Sequence, residues 1–245
     1  MISGLSICWK VDSDSGDILA NLMEAERRAG SGLQPKPKIM VGCRIVGKVS
    51  ILSVEIKPRR LRGGPWDEGF ALHVHMLSSS FVGYDQNGRA RFDSVRSPSG
   101  ELLYKLKYQQ DQSAVDQLAE AAEGFLKTWK PPIDAIVPVP PSIYRRNQPV
   151  IAVATALARR MGIPLWTSCL LKVKKTPQLK DIVEYDKRIE TLKDAFTAAP
   201  EQTAGKTLLL FDDLYGSGAT VGHIVEVLKN QGGTKAVYLL TLTTK

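Results

Sequence analysis

Apolar positions recur along this chain with two periods. From residue 134, DAIVPVP is a short apolar run ended by prolines, which predicts a buried strand. After a loop, NQPVIAVATALARRMG sets Val150, Ile151, Ala154, Leu157, Ala158 and Met161 on one helical face, with Asn147 placed to cap the helix and Gly162 to stop it. The same order returns later. KTLLLF (206–211) predicts a strand, and residues 220–228 carry Val221, Ile224, Val225 and Leu228 in helical register up to Gly232-Gly233. KAVYLLTLTT then predicts a further strand. Upstream, FALHVHMLSSSFVGY and DQNGRARF predict two strands around an Asn-Gly turn, while GELLYKLKY and AVDQLAEAAEGFLKTW predict helices. Strands alternating with amphipathic helices predict an α/β fold with a mostly parallel sheet and helices on both faces. In such sheets, ligands sit beyond the carboxyl ends of the strands.

Charge changes this picture at the front of the chain. The formal net charge is +8, and residues 1–64 contribute +5 of it, from 11 Lys and Arg against 6 Asp and Glu. At KPRRLRGG (57–64) the composition turns basic and Gly-rich just before the regular pattern begins at Trp66. This predicts a small basic N-terminal extension over 1–64 and a main domain over 65–245. Within the extension, DILANLMEAERRAG has helical spacing and IMVGCRIVGKVSILSVEI is rich in β-branched residues, with no chemistry evident in either. KPRRLR suits weak contact with nucleic acid or acidic headgroups, and a solvated linker is the plainer reading.

The 245 residues, 43% hydrophobic and 24% charged, suffice for one sizeable core. No run approaches the ~20 apolar residues of a membrane span, and the first five residues lack the features of a secretory signal, so the expectation is a cytoplasmic protein without membrane contact. Cys8, Cys43 and Cys169 stand apart without CxxC spacing, which predicts buried free thiols. His73 and His75 share a strand face with no third metal ligand in reach, His223 is expected near a helix surface, and Tyr104, Tyr108 and Trp129 read as core.

The stretch with most chemical content is LLLFDDLYGSGAT (208–220). If the strand ends at Phe211, Asp212 and Asp213 emerge at its carboxyl end, where polar ligands bind. Gly216, Ser217, Gly218, Ala219 and Thr220 follow, small enough for backbone N–H groups to close around an anion at the positive end of the next helix. Carboxylates at one edge and a phosphate cradle at the other fit a sugar phosphate such as ribose 5-phosphate.

An apolar strand, two acids and a Gly/Ser/Thr loop resemble the signature with which type I phosphoribosyltransferases bind 5-phosphoribosyl 1-pyrophosphate (PRPP), and DDLYGSGAT is closest to the ComF-like branch. SVRSPSGELLYKLKYQ, AIVPVPPSIYRRNQPVIAVATALARRMGIP and KKTPQLKD followed by Arg188 and DAFTA resemble further segments of that branch in the same order. The likeness covers roughly residues 66–245. Branch members commonly carry a Cys-rich zinc module ahead of this domain, and these cysteines supply none. The resemblance implies displacement of pyrophosphate from Mg-PRPP by an unidentified nitrogen-bearing acceptor. In that reaction Asp212 and Asp213 serve the ribose as catalytic residues, and Tyr215, Gly216, Ser217, Gly218, Ala219 and Thr220 hold the 5-phosphate. Ser142, Arg145, Arg146 and Lys107 are its candidates for the pyrophosphate, and Lys174, Lys175, Gln178 and Arg188 for a closing lid. Mg²⁺ is the implied cofactor, held mainly through ligand oxygens rather than directly. A PRPP sensor without turnover and a competence protein supporting DNA uptake stand as alternatives, and a homodimer is compatible with each.

Overall fold

The computed structural model describes residues 54–141, 148–177, 182 and 184–245. The chain divides into two compact units, Met1–Val49 and Ser50–Lys245, and every described residue falls in the second. Its strands are β1 (Arg59–Arg60), β2 (Glu68–Val74), β3 (Met76–Tyr84), β4 (Ala90–Arg96), β5 (Ala135–Pro138), β6 (Leu170–Lys172), β7 (Phe196–Ala198), β8 (Thr207–Tyr215) and β9 (Ala236–Thr244). Its helices are α1 (Pro98–Tyr104), α2 (Ser113–Trp129), α3 (Pro149–Met161), α4 (Tyr185–Leu192), α5 (Pro200–Thr203) and α6 (Ala219–Asn230), with a π-helical turn over Lys105–Gln109. The main sheet runs β1-β2-β9-β8-β5. Its β2–β9, β9–β8 and β8–β5 pairs are parallel, and β1 lies antiparallel at the edge. The fold is thus α/β with a mostly parallel sheet. Among the described residues no helix is long and apolar enough to cross a membrane.

Strand alternation sends neighbouring residues of β8 to opposite faces. Leu208 and Leu210 join Val137, Val237 and Leu239 beneath Val221, Ile224, Val225 and Leu228 of α6. Leu209 and Phe211 join Ile136 and Leu240 beneath Leu118 and Leu126 of α2 and Val153 and Leu157 of α3. Each fully buried Leu contributes roughly 1.5–3 kcal/mol, so β8 is anchored from both sides. The expected caps hold in part. Gly162 ends α3 at φ +66°, whereas Asn147 lies outside the described residues and Gln148 takes the N-cap position ahead of Pro149.

Two expectations are corrected. FALHVHMLSSSFVGY holds two strands, because the ladder with β9 runs out at Thr244. The His75 N–H bonds the Thr244 carbonyl, and the chain leaves to form the β3–β4 hairpin. The hairpin turn is as expected: Asp85 accepts the N–H groups of Asn87 and Arg89, and Gly88 sits at φ +72°. Tyr104 and Tyr108 are not core. The π-helical turn, closed by the Gln110 N–H on the Lys105 carbonyl, presents Tyr108 65% exposed, 5.1 Å from Tyr104, whose ring carries the Arg96 guanidinium at 3.8 Å. Trp129 does pack in the core and donates to Glu68.

The expected boundary after residue 64 falls inside the second unit. Leu61 is buried, its N–H bonds the Gly69 carbonyl, and its own carbonyl accepts Trp66 Nε1–H at 2.9 Å. Gly64 lies so close to the Trp66 ring that a Cβ would clash with it.

Candidate functional site

β8 continues four residues past Phe211, where the sequence pattern ends it. Asp212 pairs with Thr241, Leu214 with Thr243 and Tyr215 with Thr244, since β9 extends equally far with β-branched threonines. Burial is complete through Phe211 and partial from Asp212, so the two acids are the first residues of β8 to leave the core.

The acids have different surroundings. Asp213 forms an ion pair with Lys107 at 2.6 Å, both side chains being about one-fifth exposed. Its carbonyl accepts the Thr243 hydroxyl at 3.0 Å, and His75 Nδ1 lies 3.2 Å from the same hydroxyl oxygen. That hydroxyl has one proton, given to the carbonyl, so His75 Nδ1–H is the donor in the second bond. Burial, then the charges of Lys107 and Arg96, hold the His75 pKa below its ordinary value. Asp212 accepts the Asp213 N–H on Oδ1 at 2.8 Å. Burial and the neighbouring Asp213 charge push Asp212 up to about 8, against weaker pulls from that hydrogen bond and Lys107. The protonated form of Asp212 is thus favoured relative to an ordinary aspartate.

After Tyr215 the chain turns through Gly216, Ser217 and Gly218 into α6. Gly218 takes the N-cap position at φ +82°, and a Cβ there would stand 2.5 Å from the Tyr215 hydroxyl, so conformation and space both demand glycine. A glycine cap brings no side chain to bond the helix amides. The Gly222 N–H bonds the Gly218 carbonyl at 2.7 Å, and the preceding amides of Ala219, Thr220 and Val221 belong to the first turn, which has no acceptor within the helix. Gly216 and Ser217 are exposed, and open space lies beside Gly216. Tyr215 is steadied by an edge contact to Trp66 at 5.8 Å.

These elements border one cleft of about 410 Å³. Lys107, Arg188 and the whole of 212–220 line it. Lys174 and Lys175 do not, being exposed, with Lys174 donating to the Lys193 carbonyl. Ser142, Arg145, Arg146 and Gln178 lie outside the described residues. The cleft also takes in Lys172, Thr176 and Phe196, which sequence reasoning passed over. Lys172 was legible only through strand parity: in LLK, Leu170 is buried and Leu171 is 49% exposed, so Lys172 shares the inward face with Leu170.

Elsewhere, Cys169 is buried and its thiol is pushed up to about 11 by burial, while Cys8 and Cys43 lie outside the described residues. His223 is not at the helix surface as expected. It packs 6.2 Å from the Phe196 ring, with Nε2 buried and unpartnered. Among the described residues no group of three or more His, Cys, Asp or Glu could hold a metal ion.

Chemically, the cleft offers carboxylates for hydroxyl donors, a glycine-opened helix terminus for an anion, and cations on further walls. Neither a protein-family model nor a curated protein matches the sequence. Solved structures similar to it include the allosteric regulatory enzyme of purine biosynthesis, 19% identical over 64% of this chain and 34% of that one, with a TM-score of 0.41. Glutamine PRPP amidotransferase from B. subtilis, complexed with ADP and GMP, is 20% identical over 64% and 34%, with a TM-score of 0.42. Adenine phosphoribosyltransferase from Leishmania donovani is 11% identical over 76% and 75%, with a TM-score of 0.41. The matched part of this chain spans about a third of the length of the first two.

Proposed function

We propose that this cleft binds Mg-PRPP and that the chain transfers its 5-phosphoribosyl group to a nitrogen-bearing acceptor, releasing pyrophosphate, in the manner of the ComF-like branch its motifs resemble. One observation carries the reading: the strand-end acids and the glycine-capped terminus of α6 open into the same cleft, five residues apart along the chain. The amides of 216–220, with the Ser217 and Thr220 hydroxyls, hold the 5-phosphate, and the positive end of the helix favours its charge. Asp212 and Asp213 accept the ribose hydroxyls. Anchoring both ends of the sugar phosphate fixes C1 for attack.

As the bond from C1 to pyrophosphate lengthens, positive charge grows on the ribose, and the two acids lie where it is stabilised. The bond's electron pair leaves with pyrophosphate, the acceptor nitrogen supplies the pair for the new bond, and its surplus proton passes to solvent. Two carboxylates beside a phosphate cradle suit a hard divalent cation held chiefly through ligand oxygens. Such an ion would neutralise charge on the pyrophosphate. The lid and the Ser142, Arg145 and Arg146 contacts remain part of this proposal.

The test is calorimetry and thermal stability with ribose 5-phosphate and Mg-PRPP, together with pyrophosphate release against a panel of bases and amines. Both ligands are expected to raise the melting temperature, and Asp213→Asn to slow release by on the order of a hundredfold or more. Absence of stabilisation by either ligand would remove the reading. Stabilisation by Mg-PRPP without release for any acceptor would favour the sensor.

A further inference from the structure

β3 and β4 form a sheet of two strands with both faces in solvent. Leu77, Phe81, Val82, Tyr84, Phe92 and Val95 are each 53–71% exposed. Two strands alone are marginal in water, and a sheet of this kind becomes stable when further strands extend an apolar face. An exposed apolar group of this size marks an interaction site. Phe81 stands opposite Phe92 and Tyr84 opposite Ala90, so the three rings share one face, with the Phe81 centroid 5.2 Å from Tyr84 and 5.8 Å from Phe92. Arg91 and Asp93, both exposed, flank Phe92 and point to the other face.

The two edges of this sheet differ. β3 is interrupted between Met76 and Ser78 and again between Phe81 and Gly83, whereas the β4 residues opposite run consecutively from Ala90 to Arg96. Such irregularities blunt an edge against further pairing. β4 has neither an interruption nor a proline, and among the described residues no other strand pairs with its outer edge.

We propose that β4 pairs antiparallel with β4 of a second copy of this chain, about a two-fold axis at Phe92, to give a sheet of four strands. Charge selects both the occupant and the register. A two-fold axis normal to the sheet centres the ladder on one residue and keeps each face on its own side. Centred on Phe92, it sets Arg91 opposite Asp93 of the second copy, and Asp93 opposite Arg91, so the edge complements itself. Centred on Ala90, Arg91 or Asp93, it sets like charges against each other, which is unfavourable. Centred on Ser94 or beyond, it opposes no unlike charges. In the Phe92 register the two Phe92 rings also meet on the other face and join both groups of three rings into one cluster. The pairing is independent of what the cleft binds.

Sedimentation equilibrium on the full chain tests this. The parent is expected to dimerise with a dissociation constant on the order of 10–100 μM, since one strand edge covers less than a standard interface. Arg91→Glu leaves acids facing acids across the axis, and Asp93→Arg leaves cations facing cations. Each should weaken the dimer roughly 10- to 100-fold. An equal mixture of the two variants brings unlike charges together again and should associate within about threefold of the parent. Phe92→Asp, which sets two acids on the axis, should leave monomer. Far-UV circular dichroism checks that each variant keeps the parent's fold.

A parent that stays monomeric up to about 500 μM overturns the proposal, whatever else the hairpin then binds. A dimer that survives Phe92→Asp and both charge reversals has its interface elsewhere, which overturns it equally. Single variants that dissociate and stay apart when mixed show that Arg91 and Asp93 do not face each other across the axis, and the register falls with them.

Discussion

Asp212→Asn tests the site through a single proton. Burial and the Asp213 charge push Asp212 up to about 8, whereas an aspartate in the unfolded chain titrates near 3.9. Between those values the native state holds the extra proton. The contribution of this group to stability is therefore fully present below about pH 4 and is lost as pH rises towards 8, at up to about 1.4 kcal/mol per pH unit. Asparagine is neutral throughout and removes that slope. Ligand binding has the opposite dependence. Hydroxyl donors are best received by a carboxylate, so a ribose in the cleft favours ionised Asp212, and at pH 7, one unit below the pKa, that ionisation costs about tenfold in affinity. Ribose 5-phosphate should accordingly gain affinity by up to tenfold per pH unit below 8, releasing up to one proton per sugar bound, and level off above. The phosphate's own second ionisation near pH 6 is common to both proteins, so the difference between parent and Asp212→Asn over pH 6.5–8.5 isolates the carboxyl group. Calorimetry reads both affinity and proton release. Equal pH slopes in parent and variant, with ribose 5-phosphate bound by each, would refute a ribose-facing Asp212 and leave it as a structural acid.

Two further outcomes follow from the same geometry. Gly218→Ala must place a side chain at φ +82° and 2.5 Å from the Tyr215 hydroxyl, so it should destabilise by about 1–3 kcal/mol in denaturant titration and weaken ribose 5-phosphate more than tenfold; unchanged binding would show that the cap does not shape an anion site. A fragment 65–245 loses β1 and the burial of Leu61, and should be about 2–4 kcal/mol less stable than 54–245; equal stability would support the boundary after residue 64.

Much of the fold is legible because burial leaves a period in the sequence. Leu208 to Phe211 read as a strand, and Val221, Ile224, Val225 and Leu228 as one helical face, since each must meet a core. What escaped depends on partners distant in sequence. β8 runs on to Tyr215 because β9 supplies Thr241 to Thr244 opposite it, and no pattern within DDLY reports that. Tyr108 keeps helical spacing in the sequence, yet the π-helical turn carries it to the cleft. The acid pair and the small-residue loop were legible as a unit because they are contiguous. Lys172 was not, because KVKKTP offers three lysines and only the parity of a three-residue strand tells them apart. The Lys107–Asp213 pair, 106 residues apart in the sequence, was equally out of reach.

The local costs of this fold converge. Burial pushes the Asp212 pKa up, Lys172 has no carboxylate partner among the described residues, and α6 is a helix whose N-cap side chain bonds none of its first amides, which by itself forgoes about 1 kcal/mol relative to a Ser or Asp cap. The two cores flanking β8 supply the stability that tolerates them. Unrelated imperfections would be scattered over the molecule, whereas these three open into one cleft of about 410 Å³. They also differ in kind: among the described residues Asp212 meets no hydroxyl donor, and neither Lys172 nor the first amides of α6 meet an anion. Under the proposed function, a ribose bearing a phosphate at one end and a pyrophosphate at the other answers all three features at once, whereas a simple phosphate or a nucleobase answers at most one.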